Sequence, residues 1–390
     1  MPTQSDMSVI PYGRQTVSPE DIQAVVSVLQ SDWLTQGPAV PAFEEALGKY
    51  CGARHAVAVN SATSALHLAC LALDLGPGDS LWTSPITFVA SANCALYCGA
   101  DVDFVDIDPY TYNLDPKALE EKLEWAEGEG RLPKVVVPVH MCGLSCDMEK
   151  IHELSTRYGF RIIEDASHAL GGKYQGKPVG NCQYSDITVF SFHPVKIITT
   201  GEGGVAMTND AEIAARMARL RSHGITRDTN LMTKVPDGAW YYQQIELGYN
   251  YRMSDIQAAL GYSQLSRLDE KVAVRNKLAD DYHVSLASLP IKLPAVNQLI
   301  YSSYHLYVIR VDGGRRDKLF STLSTKGIGV NVHYIPVHTQ PYYQKRFGFS
   351  NGDYPQAERY YAEAITLPLF PGLTRAEQVF VCRSIAEVME

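Results

Sequence analysis

The sequence predicts an α/β protein, with a large, mainly parallel α/β domain at residues 1–250 and a smaller α+β domain at residues 251–390. Between about residues 55 and 210, short β-branched runs alternate with amphipathic stretches, which is typical of a parallel sheet covered by helices on both faces. Beyond residue 254, a long connecting helix leads into a second set of strands and helices. A chain of 390 residues is long enough for two such domains.

The elements of the large domain follow in the order expected for a covered sheet. Strands are predicted at residues 56–59, 81–83, 102–105, 134–138 and 160–163. Helices are predicted between them at residues 63–73, 88–97, 116–125 and 147–158. Two further strands are separated only by a turn that ends in glycines, so we expect them to form a hairpin at or beside the sheet, at residues 186–190 and 205–208.

The pattern becomes irregular after residue 222, and residues 228–238 favour a surface loop. A continuous helical pattern then covers residues 254–286. The small domain is predicted to contain a strand at 304–311, a helix at 317–326, a strand at 330–334 and a terminal helix from residue 374.

Composition and charge exclude several classes of protein. The net charge of −9 argues against nucleic-acid binding, which usually shows a basic patch. No apolar run approaches the roughly 18 residues of a membrane span, and residues 1–8 lack the features of a signal peptide. The eight cysteines are scattered, without the histidine pattern of a zinc site. We therefore expect a cytoplasmic protein with reduced cysteines, no metal ion, no nucleic-acid partner and no membrane segment.

Lys196 is the most informative residue, because it lies between an apolar strand and a glycine-rich turn. Burial disfavours an ammonium group, and an unprotonated amine is the nucleophile of Schiff-base chemistry. Asp165 ends another apolar strand upstream, so the two side chains are expected at neighbouring strand ends. Pyridoxal phosphate requires such a pair, since the lysine holds the cofactor and the carboxylate keeps the pyridine nitrogen protonated. Alone, Lys196 would be interpreted as a surface lysine.

The first strand-to-helix junction is a candidate phosphate site. Small residues there leave the first helical amides accessible, and a helix start favours anions. The hydroxyls of Thr63 and Ser64 are candidate donors, and Ser191 is a third. The alternative is a plain helix N-cap formed by Ser61.

Two aromatic residues are candidates at the same site. Phe88 follows a strand end, where its ring either stacks on the cofactor or packs in the core. His168 follows Asp165 by three residues, so it either donates a hydrogen bond to the phenolic oxygen of the cofactor or caps local structure.

Four runs of sequence resemble a known family: residues 164–168 (EDASH), 191–196 (SFHPVK), 201–204 (GEGG) and 250–259 (NYRMSDIQAA). Together they resemble the sugar-nucleotide aminotransferases of the DegT/DnrJ/EryC1 family, over about residues 10–371. The resemblance implies the fold type I architecture of pyridoxal-phosphate (PLP) enzymes, similar to aspartate aminotransferase. It also implies a homodimer with shared active sites.

The resemblance also implies a role for individual residues. Lys196 would form the Schiff base, Asp165 would bind the pyridine nitrogen, and Phe88 would stack on the ring. The phosphate would be bound by Ala62, Thr63, Ser64 and Ser191, and by Asn250 of the other subunit. Ala62 stands where the family often has glycine, and His168 where it often has glutamine, which leaves the protonation state of His168 open. Dehydrating relatives replace the lysine with histidine, so Lys196 favours amino transfer.

Three further runs resemble the branch of the family that serves pseudaminic acid biosynthesis: residues 10–15 (IPYGRQ), 32–37 (DWLTQG) and 333–341 (HYIPVHTQP). That branch aminates C4 of UDP-2-acetamido-2,6-dideoxy-β-L-arabino-hex-4-ulose with L-glutamate, which gives UDP-4-amino-4,6-dideoxy-N-acetyl-β-L-altrosamine and 2-oxoglutarate. Tyr12, Arg14, Arg252 and His338 are the implied contacts to the sugar or diphosphate. An arginine equally forms a structural ion pair, and His338 equally packs in the core.

Other functions remain open at this stage. One is amination of another UDP- or dTDP-linked keto-sugar, at C3 or C4, or of a keto-cyclitol. Another is a PLP-binding regulator without turnover, against which the intact pair of Lys196 and Asp165 argues. A metal site formed by Asp165 and His168 would need further ligands that the sequence does not supply.

Overall fold

A computed structural model describes residues 9–389 of the chain; the segment 1–8, for which no signal peptide is predicted, lies outside the described residues. The strands are β1 His55–Val59, β2 Ser80–Thr83, β3 Asp101–Phe104, β4 Val135–Val137, β5 Arg161–Asp165, β6 Lys173–Tyr174, β7 Lys177–Pro178, β8 Ile187–Ser191, β9 Gly204–Thr208, β10 Ile225–Thr226, β11 Gln243–Gln244, β12 Ile300–Tyr301, β13 Tyr307–Arg310 and β14 Ala364–Leu367. The helices are α1 Pro19–Leu29, α2 Ala39–Cys51, α3 Ala62–Ala72, α4 Ala90–Tyr97, α5 Pro116–Gly128, α6 Met148–Tyr158, α7 Ala211–Leu220, α8 Asp255–Leu265, α9 Leu268–Leu286, α10 Arg316–Thr325, α11 Pro341–Phe347, α12 Pro355–Glu363 and α13 Arg375–Met389.

Seven strands form the central sheet in the order β1-β9-β8-β5-β4-β2-β3. The strands from β8 to β3 pair in parallel, whereas β9 runs antiparallel to both β1 and β8. The predicted, mainly parallel sheet is therefore confirmed. The two strands that flank Lys196 form the predicted hairpin, and both of them belong to the sheet.

Helices cover both faces of this sheet. In β4, Val135 and Val137 belong to the hydrophobic cluster that includes α3, α4 and α7, whereas Val136 belongs to the cluster that includes α5 and α6. Because successive side chains of a strand point to opposite faces, the two clusters lie on opposite sides of the sheet. All three valines are fully buried, which explains why this strand is a continuous apolar run.

The second half of the chain forms its own hydrophobic cluster from α9, α10, α13, β13 and β14. The long helix predicted at residues 254–286 is interrupted, since α8 ends at Leu265 and α9 begins at Leu268. Between them, the Arg267 guanidinium pairs with the fully buried Asp21 carboxylate of α1 at 2.5 Å. This contact spans the chain, so the local apolar periodicity could not show the break.

The strand predicted at residues 330–334 is wrong. The segment makes only an isolated bridge between Asn331 and Thr366. Its polar groups bond individually instead: Asn331 Oδ1 accepts the Val332 N–H at 2.8 Å, and His333 Nδ1 lies 2.8 Å from Thr366 Oγ1. The same segment brings His333 and Tyr334 to the central cavity described below.

Several elements escaped the sequence analysis, namely α1, α2, α11, α12, β14 and the two-residue strands β6, β7, β10, β11 and β12. A signal for α1 exists, because Ser18 and Asp21 form a reciprocal capping box around Pro19 at the first helical turn. The small unit also contains a residue that precedes the large unit in sequence. Ile10 pairs with Ile328 and packs in the hydrophobic cluster of the second half.

We propose the division of the chain at residue 250 from the separate hydrophobic cluster of the second half. Residues just beyond that point still pack with the large unit, since Met253, Ala258 and Leu268 belong to the cluster of α2, β8 and β9. Ile10 departs from that division, because it precedes the large unit in sequence but packs with the small one. None of the helices within residues 9–389 is long and apolar enough to cross a membrane. All eight cysteines are free thiols. In the described range, no three His, Cys, Asp or Glu side chains are grouped to hold a metal ion.

Candidate active site

Asp165 ends β5 in the middle of the sheet, and its carboxylate is held in a fixed orientation. Oδ2 accepts a hydrogen bond from the Ser91 hydroxyl at 2.6 Å, and Oδ1 accepts the Ser167 N–H at 3.1 Å. Thr87 Oγ1 lies 2.7 Å from the Ser91 hydroxyl and extends this buried network. Asp165 itself is only 6% exposed, so the remaining free surface of its carboxylate faces the central cavity.

Behind Asp165, the neighbouring side chain of β5 points to the other face of the sheet. Glu164 accepts hydrogen bonds from Ser185 Oγ at 2.5 Å, Thr188 Oγ1 at 2.9 Å and His140 Nε2 at 2.7 Å. His140 Nδ1 accepts a backbone N–H at 3.2 Å, so the ring proton is on Nε2. Burial alone would raise the pKa of Glu164, but these donors, His140 foremost, bring it below its usual value. The network stabilises the strand end that carries Asp165.

Lys196 lies in the turn between β8 and β9, and its side chain lines the same cavity as Asp165, with a volume of about 420 Å³. Burial lowers the pKa of the lysine to about 8, while the Asp165 carboxylate limits the fall. About a tenth of the amine is therefore unprotonated at pH 7, against less than about a thousandth for an ordinary lysine. The amine is poised for nucleophilic attack on an aldehyde.

The start of α3 forms one end of the cavity. Ser61 is the N-cap of this helix, and Ser61, Ala62 and Thr63 all line the cavity. Ser64 does not, because its hydroxyl donates to Asn60 Oδ1 at 2.6 Å and its N–H donates to Ser61 Oγ at 3.1 Å. The N-cap predicted as the alternative is thus present, and the first amides of the helix remain available to an anion.

Gly204, the first residue of β9, packs against this helix start. A Cβ added there would lie 2.5 Å from the Ala62 nitrogen, so only glycine allows the close approach of the two backbones. Ser191, at the end of β8, lines the same part of the cavity. Hydroxyls and amides from both sides therefore converge where a phosphate would bind.

Phe88 lines the cavity but precedes the helix predicted to begin with it, since α4 starts at Ala90. The Phe88 side chain is 60% exposed, and its ring centroid lies 6.2 Å from that of Tyr334. Core packing is therefore not its role in this chain. A flat ring with an open face is suited to stack on a planar ligand.

His168 is buried beside the cavity, where it meets several other rings. Its Nδ1 accepts the Cys142 N–H at 3.3 Å, and its Nε2 lies 3.1 Å from Tyr334 Oη. Burial, with the Lys196 ammonium and His333, holds the pKa of His168 well below its usual value. The imidazole is therefore neutral, with its proton on Nε2.

The remaining predicted contacts are dispersed. Tyr12 lines the cavity, and its ring lies 5.4 Å from that of His333. Arg14 and Asn250 are exposed and Arg252 is half-buried; none of the three lines this cavity within one subunit. Neither arginine forms an ion pair with another residue in the range 9–389. The structural ion pair that the sequence analysis gave as the alternative role is therefore not observed for Arg14 or Arg252.

His338 is not placed to contact a substrate. Its side chain is fully buried, its Nε2 lies 3.0 Å from Glu358 Oε1, and its ring packs 4.8 Å from that of Tyr354. The residue does not line the cavity. The packing alternative stated for it in the sequence analysis is the one that the structure shows.

Sequence reasoning missed Ser91, Thr87 and His305 altogether. Ser91 meets Asp165 across 74 residues of chain, and no local pattern indicates such a contact. His305 lines the cavity from the start of the second unit, with its ring 4.4 Å from that of His168. Its buried Nδ1 has no hydrogen-bond partner in the described part of the chain. Only the fold brings these side chains to the site.

Pyridoxal phosphate fits this cavity. The aldehyde of the cofactor requires a free amine, its ring nitrogen requires a carboxylate, and its phosphate requires amides and hydroxyls. Lys196, Asp165 and the start of α3 with Ser191 supply these groups in the same cavity. The fold and the site together define a PLP-dependent enzyme of fold type I. More narrowly, the chain belongs to the DegT/DnrJ/EryC1/StrS aminotransferase family, whose model matches residues 15–386. It is a PLP-dependent sugar aminotransferase.

Relatives of known name cover almost the whole chain. The spore coat polysaccharide biosynthesis protein SpsC of Bacillus subtilis (strain 168) is 39% identical over 388 residues, which are 98% of this chain and 97% of SpsC. The structure of Helicobacter pylori PseC, an aminotransferase involved in the biosynthesis of pseudoaminic acid, is 32% identical with a TM-score of 0.89, covering 98% of this chain and 99% of PseC. The PLP form of the putative sugar aminotransferase Spr1654 of Streptococcus pneumoniae is 30% identical with a TM-score of 0.88, covering 98% of each chain.

Proposed function

We propose that this sugar aminotransferase transfers the amino group of L-glutamate to C4 of UDP-2-acetamido-2,6-dideoxy-β-L-arabino-hex-4-ulose. The products are UDP-4-amino-4,6-dideoxy-N-acetyl-β-L-altrosamine and 2-oxoglutarate. The similarity to PseC supports this substrate, as do the three runs that resemble the pseudaminic acid branch. The observation that carries the amino transfer itself is the Lys196 amine, which shares a cavity with Asp165 and has a pKa near 8.

Several residues of the cavity have a proposed part in this reaction. Bound pyridoxal phosphate supplies an electron sink for the carbon that carries the nitrogen. Lys196 holds the cofactor and, once displaced, carries a proton between the two carbons next to that nitrogen; a pKa near neutrality suits this exchange. Asp165 keeps the ring nitrogen protonated, Phe88 stacks on the ring, and the start of α3 with Thr63 and Ser191 binds the phosphate.

We further propose a homodimer in which Asn250 reaches the phosphate site of the other subunit. The segment before Asn250 supports this, because it exposes large apolar side chains that a second copy would cover: Val235 is 83% exposed, Trp240 74% and Leu247 76%. Arg252 follows Asn250 and has no ion-pair partner within the described residues. Light scattering at micromolar concentration should give the mass of two chains, and a monomer would contradict this assembly.

We place the reaction in the cytoplasm. The support for this location is that all eight cysteines are free thiols, most of them buried.

The decisive experiment follows the absorbance of the purified protein, reconstituted with pyridoxal phosphate, before and after addition of glutamate. The wild type should show a Schiff-base band that glutamate converts to the pyridoxamine form. Lys196→Ala should show neither, whereas Lys277→Ala, at an exposed lysine of α9, should match the wild type. A band that persists in Lys196→Ala would refute the assignment of the lysine. A stable band that no amino donor changes would favour the PLP-binding regulator.

The acceptor is tested with the pyridoxamine form and a panel of keto-sugars. UDP-linked 4-keto-6-deoxy-N-acetylhexosamines of both C5 configurations, dTDP-linked 3-keto and 4-keto sugars and a keto-cyclitol cover the alternatives. Return of the Schiff-base band with the L-arabino UDP-sugar, at a rate at least tenfold above all others, is the expected result. Preference for another member would replace the proposed substrate but not the reaction class.

A further inference from the structure

The hydrogen bonds of the His168 ring determine which of its two nitrogens carries the proton. The imidazole accepts the Cys142 N–H at Nδ1, so its only proton is on Nε2 and points to Tyr334 Oη at 3.1 Å. The opposite tautomer would set two N–H groups against each other across 3.3 Å. The Tyr334 hydroxyl is therefore an acceptor toward His168.

Because Tyr334 Oη accepts from His168, its own proton must be donated elsewhere. In the part of the chain that the structure describes, the hydroxyl has no second hydrogen-bond partner. Tyr334 lines the cavity that contains Lys196 and Asp165. Burial raises the pKa of Tyr334, so the phenol stays protonated and keeps its donor.

The other titratable rings nearby are already committed or face different atoms. His333 lies 2.8 Å through Nδ1 from Thr366 Oγ1, and its Nε2 lies 3.4 Å from Asn331 Nδ2, so both ring nitrogens are used within the small unit. The His305 ring lies tilted beside the His168 ring, with the centroids 4.4 Å apart, and His305 does not bond to Tyr334. Tyr12 also lines the cavity, but the His168 ring is hydrogen-bonded to Tyr334, so Tyr334 is the hydroxyl whose proton His168 directs toward a ligand.

We propose that Tyr334, rather than His168, donates the hydrogen bond to a ligand oxygen beside Lys196, and that His168 is the positioning residue that aims the hydroxyl proton. The oxygen is an acidic acceptor. It belongs either to the phenolic group of pyridoxal phosphate or to the carboxylate of the amino donor. The proposal goes beyond the proposed sugar specificity and holds for any keto-sugar acceptor.

The test compares Tyr334→Phe with Tyr360→Phe in the full chain loaded with pyridoxal phosphate. Tyr360 is a matched control, since it is buried next to the same segment but its hydroxyl donates to the His333 carbonyl at 2.7 Å and does not line the cavity. Three quantities are measured: the pH midpoint of the Schiff-base band without substrate, the affinity of the apoprotein for pyridoxal phosphate, and the KM and kcat of the glutamate half-reaction.

If the oxygen belongs to the cofactor, Tyr334→Phe should move the midpoint of the band by about one pH unit and weaken cofactor binding about tenfold. If it belongs to a substrate, the midpoint stays and the KM rises by about tenfold or more. Either result supports the hydroxyl as a donor. All three quantities within twofold of Tyr360→Phe would overturn the proposal.

A double-mutant cycle tests the role of His168. His168→Gln keeps a donor to the hydroxyl and should retain the wild-type values, whereas His168→Leu should move the same quantity as Tyr334→Phe in the same direction. In the Tyr334→Phe background, His168→Leu should have no further effect. An undiminished effect there would show that His168 contacts the ligand directly, and would overturn the proposal. The band titration uses no sugar, so its outcome is independent of whether the proposed acceptor is correct.

Discussion

Ser91→Ala tests how the fold orients Asp165. The Ser91 hydroxyl donates to Asp165 Oδ2 at 2.6 Å, and both side chains are buried. A hydrogen bond to a charged group contributes about 1.5–3 kcal/mol, which corresponds to about 10- to 150-fold in an equilibrium constant. The substitution removes one oxygen and opens little space, so the loss of the bond dominates. We expect the free energy of unfolding of the cofactor-free protein to fall by that amount, and the variant to retain less cofactor.

The assay is urea unfolding at pH 7, followed by circular dichroism, with cofactor retention measured after dialysis. Ser155→Ala is the matched control, because its hydroxyl also donates at 2.6 Å, but to the neutral carbonyl of Phe160 and away from the cavity. The control should lose about 1 kcal/mol and no cofactor. Equal losses of stability and equal cofactor retention in the two variants would refute the reasoning, because the charged acceptor would then make no difference.

Three further predictions follow from the site and its supports. The pKa of Lys196 near 8 predicts that the apoprotein combines with pyridoxal phosphate faster as pH rises, with a half-maximal rate near pH 8 and a plateau above about pH 9 in stopped-flow absorbance. A half-maximal rate at about pH 10, as for an ordinary lysine, would contradict it. Glu164→Gln replaces the charged acceptor of three buried hydrogen bonds with a neutral amide and should lower the free energy of unfolding by about 1.5–3 kcal/mol at pH 7. Folding lowers the pKa of Glu164, so the ionised carboxylate stabilises the wild type above about pH 4, and this stabilisation is lost as pH falls further. In urea titrations, the free energies of unfolding of the wild type and the variant should therefore converge in acid and not in base. Gly204→Ala places a Cβ 2.5 Å from the Ala62 nitrogen and should weaken binding of pyridoxal phosphate at least about tenfold by fluorescence titration, whereas Gly76→Ala, with open space around the new carbon, should not.

The sequence was sufficient for the strands that carry the chemistry. Lys196 and Asp165 follow runs of buried apolar residues, and such runs are visible locally because both faces of a parallel sheet are covered. The helix start at Ser61 was visible for a similar reason, since small and hydroxyl residues at a strand end mark an N-cap. These signals extend over only a few residues.

Features set by distant contacts were not visible. At the break between α8 and α9, Arg267 pairs with the distant Asp21, and the carboxylate of Asp165 is held by the distant Ser91. His338 is another residue whose environment could not be predicted from its local sequence. Its sequence context resembles a substrate-binding run, yet its ring nitrogen bonds to Glu358 and its side chain is buried. Whether a side chain in such a loop points to the cavity or to the core is decided by the packing of the whole unit.

The position of β9 between β1 and β8 has a consequence for the order in which the site matures during synthesis. Val59 of β1 pairs with Gly204 of β9. The phosphate site at the start of α3, which follows β1, therefore meets the β8–β9 hairpin that carries Lys196 only after β9 has been synthesised. A nascent chain that ends before Gly204 already contains Lys196 and Asp165, and its parallel strands can pair, but its first strand has no neighbour in the sheet. Capture of the cofactor is therefore expected late in translation, and ribosome-bound chains arrested before residue 204 should fail to retain pyridoxal phosphate, unlike chains arrested well beyond it.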